Sequence, residues 1–186
     1  VLEDAFHGRT LATLSATGNR KIQAGFEPLV AGFVRAPRND LEAVRQIARN
    51  NPDVVAFLAE PIQGVGGFAT PPDGFFGAMH KSLANNDILF VSDEVQTGWG
   101  RTGEHFWGYE AHGIVPDMLT FAKGVGNGIT LAGIVARAEL MDAITVTSFS
   151  TFGGNPLSAA AGLATLRQVE GEGMQDNALA MGRRMN

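Results

Sequence analysis

Residues 118–124 read Met-Leu-Thr-Phe-Ala-Lys-Gly, a short apolar run that ends at a lysine and a glycine. A similar run over residues 54–59 ends at Glu60, and a third over residues 88–91 is followed by Ser92 and Asp93. Short apolar runs without alternation are typical of strands buried on both faces of a parallel sheet. We therefore predict strands at these three places and a fourth over Leu131 to Ala136.

Helical patterns separate the apolar runs. Residues 41–48 place four apolar side chains on one face, and Asp40 precedes them as a candidate N-cap. Residues 74–84 and 156–169 predict two more helices. Alternation of strands and helices predicts an α/β fold with a mainly parallel sheet flanked by helices.

Composition excludes several classes of protein. The 186 residues carry a net charge of -5, which offers no basic surface for nucleic acid, and no apolar run reaches the length of a membrane span. The sequence contains no cysteine, so disulfide scaffolds and thiolate metal sites are excluded. We expect a cytoplasmic protein with neither nucleic acid nor membrane as its partner.

Both ends of the sequence suggest a piece of a longer chain. The first residue is Val1 rather than Met, and residues 181–186 resemble the middle of a helix. We expect segments before and after this chain to contribute to its activity.

Three polar residues stand where apolar runs stop: Glu60, Asp93 and Lys123. In open parallel sheets, ligands bind beyond the carboxyl ends of the strands. If these strands are neighbours, the three side chains converge on one crevice.

Lys123 has the chemistry of a cofactor-carrying residue. A lysine at the mouth of a buried strand is partly desolvated, which favours its nucleophilic free amine, and such an amine forms a Schiff base with an aldehyde. Asp93, 30 positions earlier, suits a pyridinium nitrogen, which needs a carboxylate partner to stay protonated. The alternatives are a lysine that extends to solvent at a strand end and an aspartate that caps the next segment.

Weaker patterns accompany this pair. Residues 150–156 combine hydroxyls and glycines before a predicted helix, which favours an anion site, although an ordinary cap explains them equally well. Phe6 could stack on a flat cofactor. His80, His105 and His112 show no metal-ligand spacing, so we expect no metal site.

Five motifs, in this order and spacing, resemble the class III (omega, or subgroup II) aminotransferases, and the resemblance runs from Phe6 to about residue 169. The motifs are Phe6-His7-Gly8-Arg9-Thr10, Glu60-Pro61-Ile62-Gln63-Gly64, Ser92-Asp93-Glu94-Val95-Gln96-Thr97-Gly98, Pro116-Asp117 with Phe121-Ala122-Lys123-Gly124, and Ser150-Thr151-Phe152-Gly153-Gly154-Asn155-Pro156.

The resemblance implies that Lys123 forms the internal aldimine with pyridoxal 5'-phosphate and then moves the substrate proton. It implies that Asp93 pairs with the pyridine nitrogen of the cofactor. It places Gln96 near the phenolic oxygen and Val95 against one face of the ring.

The remaining implied cofactor-binding residues surround this centre. Phe6 stacks on the other ring face, and its neighbour His7 belongs to the same group. Glu60 supports the site, and Thr151 reaches the phosphate of the neighbouring subunit's cofactor.

The implied fold is the fold type I large domain, with a seven-stranded, mainly parallel sheet and an obligate homodimer whose sites lie at the interface. Residues 1–186 then form the central part of the pyridoxal-phosphate-binding large domain. The phosphate loop of the same subunit would precede Val1, and the small C-terminal domain would follow Asn186.

The implied reaction moves an amino group from an amino acid or amine to a 2-oxo acid. The alternatives are a decarboxylase or aminomutase reaction on the same fold, or a fragment without catalytic activity. Val65 stands in the Gly-rich loop of residues 63–67, where acetylornithine, ornithine and 4-aminobutyrate aminotransferases usually have a glutamate that pairs with the carboxylate-binding arginine. Residues 105–117 resemble the alanine–glyoxylate branch and residues 5–11 the acetylornithine branch.

Overall fold

A four-stranded sheet forms the centre of the structure, a computed structural model that describes residues 1–147 and 149–185. Its strands are β1 (Ala56–Ala59), β2 (Leu89–Asp93), β3 (Met118–Phe121) and β4 (Gly133–Ala136), in the spatial order β1-β2-β3-β4. β1 pairs with β2 and β2 with β3 in parallel, whereas β4 runs antiparallel to β3. The predicted α/β fold with a mainly parallel sheet is confirmed.

Helices connect and flank these strands. They are α1 (Leu11–Ala16), α2 (Arg20–Gln23), α3 (Leu41–Asn50), α4 (Phe75–Ala84), α5 (Ala138–Asp142), α6 (Pro156–Gly171) and α7 (Met174–Met185), with short 3₁₀ helices at Gly108–His112 and Lys123–Gly126. The three helices predicted from the sequence correspond to α3, α4 and α6. α7 contains the predicted terminal helical stretch up to Met185, and Asn186 lies outside the described residues.

Local chemistry explains where α3 and α6 begin. The Asp40 carboxylate accepts a hydrogen bond from the Ala43 N–H at 2.9 Å. The Asn155 side chain accepts one from the Ser158 N–H at 3.0 Å, and Pro156 occupies the first turn of α6. Both caps satisfy an N–H group that the helix itself leaves without a partner.

The hydrophobic core lies between the sheet and the helices α3 and α4. Its large members include Phe57 and Phe90 from the strands and Phe76, Met79 and Leu83 from α4. Phe76 and Phe90 lie with ring centroids 5.8 Å apart. Burial of each such side chain contributes roughly 1.5–3 kcal/mol to stability. The core therefore holds β1 and β2 firmly against the helices.

β4 differs from its prediction. We expected its side chains to be buried on both faces, but Ile134 is 46% and Val135 54% exposed. Among the described residues β4 pairs only with β3, and it therefore lies at the edge of the sheet. Within the same residues, no helix has the length and apolar character required to cross a membrane.

Candidate active site

The carboxyl ends of the parallel strands carry the three polar residues predicted to converge. Glu60 follows β1 directly, Asp93 is the last residue of β2, and Lys123 comes two residues after β3. Because the three strands are parallel neighbours, all three residues lie at the same edge of the sheet.

Asp93 and His7 form a buried pair at this edge. His7 Nδ1 lies 2.7 Å from Asp93 Oδ2, and the two side chains are only 1% and 6% exposed. The Val95 N–H donates to the other oxygen, Asp93 Oδ1, at 3.2 Å. His7 is also held through its own N–H, which donates to Thr17 Oγ1 at 3.1 Å. The carboxylate is therefore fixed in position and charge environment before any ligand arrives.

The His7 side chain is buried and contacts Asp93. Its Nε2 atom is buried and has no hydrogen-bond partner among the described residues. Direct contact between His7 and a cofactor stays a prediction, but the observed contact gives His7 a role through Asp93. Sequence reasoning did not find this contact because 86 positions separate the two residues.

Glu60 ties two segments of the site together. Its Oε1 accepts a hydrogen bond from the Phe6 N–H at 2.9 Å, and its Oε2 accepts one from the Gly64 N–H at 3.1 Å. Burial raises the pKa of the Glu60 carboxyl above its usual value, against the smaller opposing effect of these two hydrogen bonds. The Phe6 ring, which Glu60 helps to place, lies 5.6 Å below the Arg9 guanidinium.

Lys123 borders a cavity of about 440 Å³. Val95 and Gln96 line the same cavity, so the structure brings these three predicted residues together. Gly64 lines it as well and connects it to Glu60 through the hydrogen bond described above. Apolar side chains from Ile62, Phe68 and Trp99 complete one wall.

The expectation that Lys123 is partly desolvated is wrong for this structure. Lys123 is exposed, since the residues that follow it are largely glycines, which have no side chain to cover it. Its backbone adopts φ +48, in the left-handed region that residues other than glycine rarely occupy. The lysine is therefore accessible to a ligand, and its position is set by the backbone turn.

Thr151 lies in a turn before α6 and is exposed. Within the described residues, no hydrogen bond joins it to Glu60, Asp93 or Lys123. Asn155, not Thr151, caps the helix. The predicted contact of Thr151 with a phosphate of another subunit stays a prediction.

Glu94 is a residue whose importance the sequence did not reveal. It is completely buried, and its two carboxylate oxygens accept four hydrogen bonds from neighbouring segments. A strand places successive side chains on opposite faces, which predicts different surroundings for Glu94 and Asp93. This alternation is the one signal in the sequence that could have indicated a buried Glu94, and a buried carboxylate needs several hydrogen-bond donors.

The donor set matches the needs of an aromatic aldehyde cofactor with a protonatable ring nitrogen. Lys123 supplies an accessible primary amine, Asp93 a buried carboxylate, and Val95 an apolar surface beside them. An amine binds an aldehyde covalently, and a carboxylate keeps a pyridinium nitrogen protonated.

Comparison with known proteins points to the same chemistry. The profile of the family described as "Aminotransferase class-III" matches residues 1–186. An acetylornithine aminotransferase of Nitrosomonas europaea is 46% identical over 183 residues, which cover 98% of this chain and 46% of that protein. This chain therefore spans less than half the length of the curated relatives it matches.

Two solved structures have the same fold over nearly the whole chain. The ornithine aminotransferase from Toxoplasma gondii has a TM-score of 0.92 at 31% identity, covering 98% of this chain and 44% of that one. An amine transaminase from an uncultivated Pseudomonas species, in its pyridoxal-phosphate-bound internal aldimine form, has a TM-score of 0.89 at 29% identity over 98% of this chain and 48% of that one.

Proposed function

This chain belongs to the class-III aminotransferase family, and we propose that it transfers an amino group from an amino acid or amine to a 2-oxo acid with pyridoxal phosphate held on Lys123. The observation that carries the proposal is the placement of Lys123, Val95 and Gln96 around one cavity. The Asp93–His7 pair is connected to that cavity through the Val95 N–H, which donates to Asp93.

Each residue has a defined task in this proposal. When bound, pyridoxal phosphate supplies an aldehyde and an electron-accepting ring. The Lys123 amine would hold the cofactor and serve as the proton carrier of the site, and the Asp93 carboxylate would stabilise a proton on the ring nitrogen. Val95 and Phe6 would supply the two apolar faces for the ring, and Gln96 would donate a hydrogen bond to its phenolic oxygen.

Glu60 and His7 act through other residues. Glu60 holds the backbone at Phe6 and Gly64, and therefore positions one wall of the cavity and the aromatic ring. His7 holds Asp93 in one orientation.

The proposal assigns residues 1–186 to the pyridoxal-phosphate-binding large domain. The relatives are more than twice as long as this chain, which supports a site completed by further segments. The proposal also includes a homodimer in which Thr151 of a second subunit completes the site. A cytoplasmic location remains part of the proposal.

The proposed amino donor rests on the names of similar proteins, and the proposed amino acceptor rests on one residue. The relatives named acetylornithine and ornithine aminotransferase favour an amino acid with a second, terminal amino group as donor. Val65, 49% exposed in the loop after β1, cannot pair with an arginine as a glutamate there would. We therefore propose an acceptor other than 2-oxoglutarate, with pyruvate as the first to test.

The deciding experiment is borohydride reduction of the whole, cofactor-loaded protein followed by peptide mapping. Reduction makes the bond between the cofactor and its lysine permanent, so the label should appear on Lys123. A label on Lys21 or Lys81, the other lysines of the sequence, would contradict the proposal.

Reaction with an amine and pyruvate then identifies the reaction. Alanine should appear if the amino group is transferred. Release of carbon dioxide from an amino acid, without alanine, would indicate a decarboxylase, and an isomeric amino acid product would indicate an aminomutase.

A further inference from the structure

Glu94 holds a carboxylate in the interior with every acceptor position in use. Its Oε1 accepts from Ser92 Oγ and from the Tyr109 N–H, both at 2.9 Å. Its Oε2 accepts from Thr97 Oγ1 at 2.6 Å and from the Gly108 N–H at 2.7 Å. An ionised carboxyl group that is fully removed from water requires this number of donors.

These four bonds join the turn that lines the cavity to a segment that comes later in the sequence. Ser92 and Thr97 precede and follow Val95 and Gln96 in sequence, whereas residues 108 and 109 belong to the 3₁₀ helix that comes later. The Gly98 N–H also donates to the Glu94 carbonyl at 3.0 Å. Hydrogen bonds to the Glu94 carboxylate and to the Glu94 carbonyl therefore hold residues 95–97 at both ends.

Close packing allows little adjustment around this anchor. A Cβ atom on Gly108 would lie 2.6 Å from the Thr97 Cβ, and one on Gly98 would lie 2.6 Å from the Trp107 ring. Trp107 in turn contacts Trp99, with ring centroids 4.7 Å apart, and Trp99 contacts Phe121 at the end of β3, at 5.2 Å. The turn after β2 is thus connected to the strand that presents Lys123.

We infer that Glu94 is a positioning residue, whose buried carboxylate fixes the turn at residues 95–97 so that Val95 and Gln96 meet the cofactor held on Lys123. The inference rests on the proposed function. It assigns to Glu94 no contact with the cofactor itself. Its effect passes through Val95 and Gln96, which line the cavity with Lys123.

The test is Glu94→Gln in the whole protein, compared with Glu110→Gln. In glutamine one carboxylate oxygen becomes an amide nitrogen, which faces one hydroxyl that can turn to accept and one backbone N–H that cannot, so at least one of the four bonds is lost. Glu110 is a matched control because its carboxylate also accepts two backbone N–H groups, from Phe106 and Trp107, but is exposed. We expect Glu94→Gln to weaken pyridoxal phosphate binding by about tenfold or more, and Glu110→Gln to leave it unchanged.

A second readout separates positioning from general stability. The pH midpoint of the visible absorbance of bound cofactor should move by about half a pH unit in Glu94→Gln, because Gln96 no longer donates correctly. In a Gln96→Ala background, Glu94→Gln should then move the midpoint no further. Additive shifts, or a lower melting temperature with unchanged affinity and midpoint, would overturn the inference.

Two further variants cover the case in which Glu94→Gln does not fold. Thr97→Ala removes one of the four donors and should shift the midpoint in the same direction by a smaller amount, and Thr97→Ser should restore it. An unchanged midpoint in Thr97→Ala would also contradict the role of Glu94. Absence of cofactor binding by the wild-type protein would instead overturn the proposed function, and this role with it.

Discussion

The proposed function depends on single residues at the carboxyl ends of the strands. Asp93 is the clearest case, since its carboxylate is buried and already paired with His7 at 2.7 Å. Under the proposed function, a carboxylate held in this way would pair with a cationic ring nitrogen.

Replacing Asp93 by asparagine should retain the shape of the side chain and remove its charge. We expect turnover in the whole enzyme to fall by about 10²–10⁴, because electrostatic and proton-transfer contributions of this kind have that size. The cofactor should still bind, as measured by its absorbance. Asp87→Asn, at an exposed turn, is the control, and wild-type turnover in Asp93→Asn would mean that Asp93 is only structural.

Glu60 gives a prediction for pH. Burial raises its folded-state pKa above the usual 4.5, so between these two pKa values the folded state binds more protons than the unfolded state. The free energy of unfolding should therefore lose a contribution as pH rises from the usual value through the folded pKa. Urea unfolding of Glu60→Gln across this window should lack that loss, whereas exposed Glu104→Gln should retain it. Identical pH profiles for Glu60→Gln and wild type would contradict the assignment.

At the scale of the elements, the loop after the Trp99 turn packs directly on α7. Gly103 has φ +84, and a Cβ atom there would lie 2.6 Å from the Leu179 backbone. Loop and helix therefore meet through main-chain contact, which only glycine permits at this position.

Gly103→Ala should reduce the free energy of unfolding by about 1–3 kcal/mol, because the added methyl group forces the helix and loop apart in a strained backbone region. Gly182→Ala is the matched control on α7. A Cβ atom there meets nothing within 4 Å, so the same change should raise stability by about 0.5–1 kcal/mol through helix propensity. Denaturant unfolding measures both, and equal effects from the two substitutions would refute the contact.

The elements were largely predictable, whereas the contacts between them were not. Apolar runs located β1, β2 and β3, and the Asp40 pattern located α3, because these depend on neighbours in sequence. The antiparallel direction of β4 depends on its pairing with β3, which no local pattern encodes. The same limit explains why the sequence predicted contact of His7 with a cofactor and not with Asp93. It also explains why the sequence predicted no role for Glu94, because the donors to Glu94 at residues 108 and 109 are 14 and 15 positions away.

At the scale of the whole molecule, the segment around Thr151 carries an unusual amount of exposed apolar surface. Val146, Phe149, Phe152 and Leu157 are each at least 70% exposed. Exposed apolar side chains gathered in one segment favour association with another protein surface. It lies next to the residue that was predicted to reach a second subunit.

Thr151→Ala in the whole enzyme should weaken pyridoxal phosphate binding by about ten- to a hundredfold, since a hydrogen bond to a charged phosphate contributes roughly 1.5–3 kcal/mol. Exposed Thr70→Ala serves as the control. By the same argument, residues 1–186 alone should self-associate in sedimentation experiments and bind the cofactor weakly. A compact monomer that binds it tightly would contradict both the shared site and the dimer.

The left-handed backbone at Lys123 has a consequence for how this position can change over time. A glycine at φ +48 would relieve conformational strain of about 1–2 kcal/mol, so folding alone favours the loss of the lysine. Under the proposed function, the need for an amine at this position opposes that change. A related chain that no longer carried out the reaction would gain stability from this substitution. Glycine at this position would then identify relatives that have kept the fold and lost the activity.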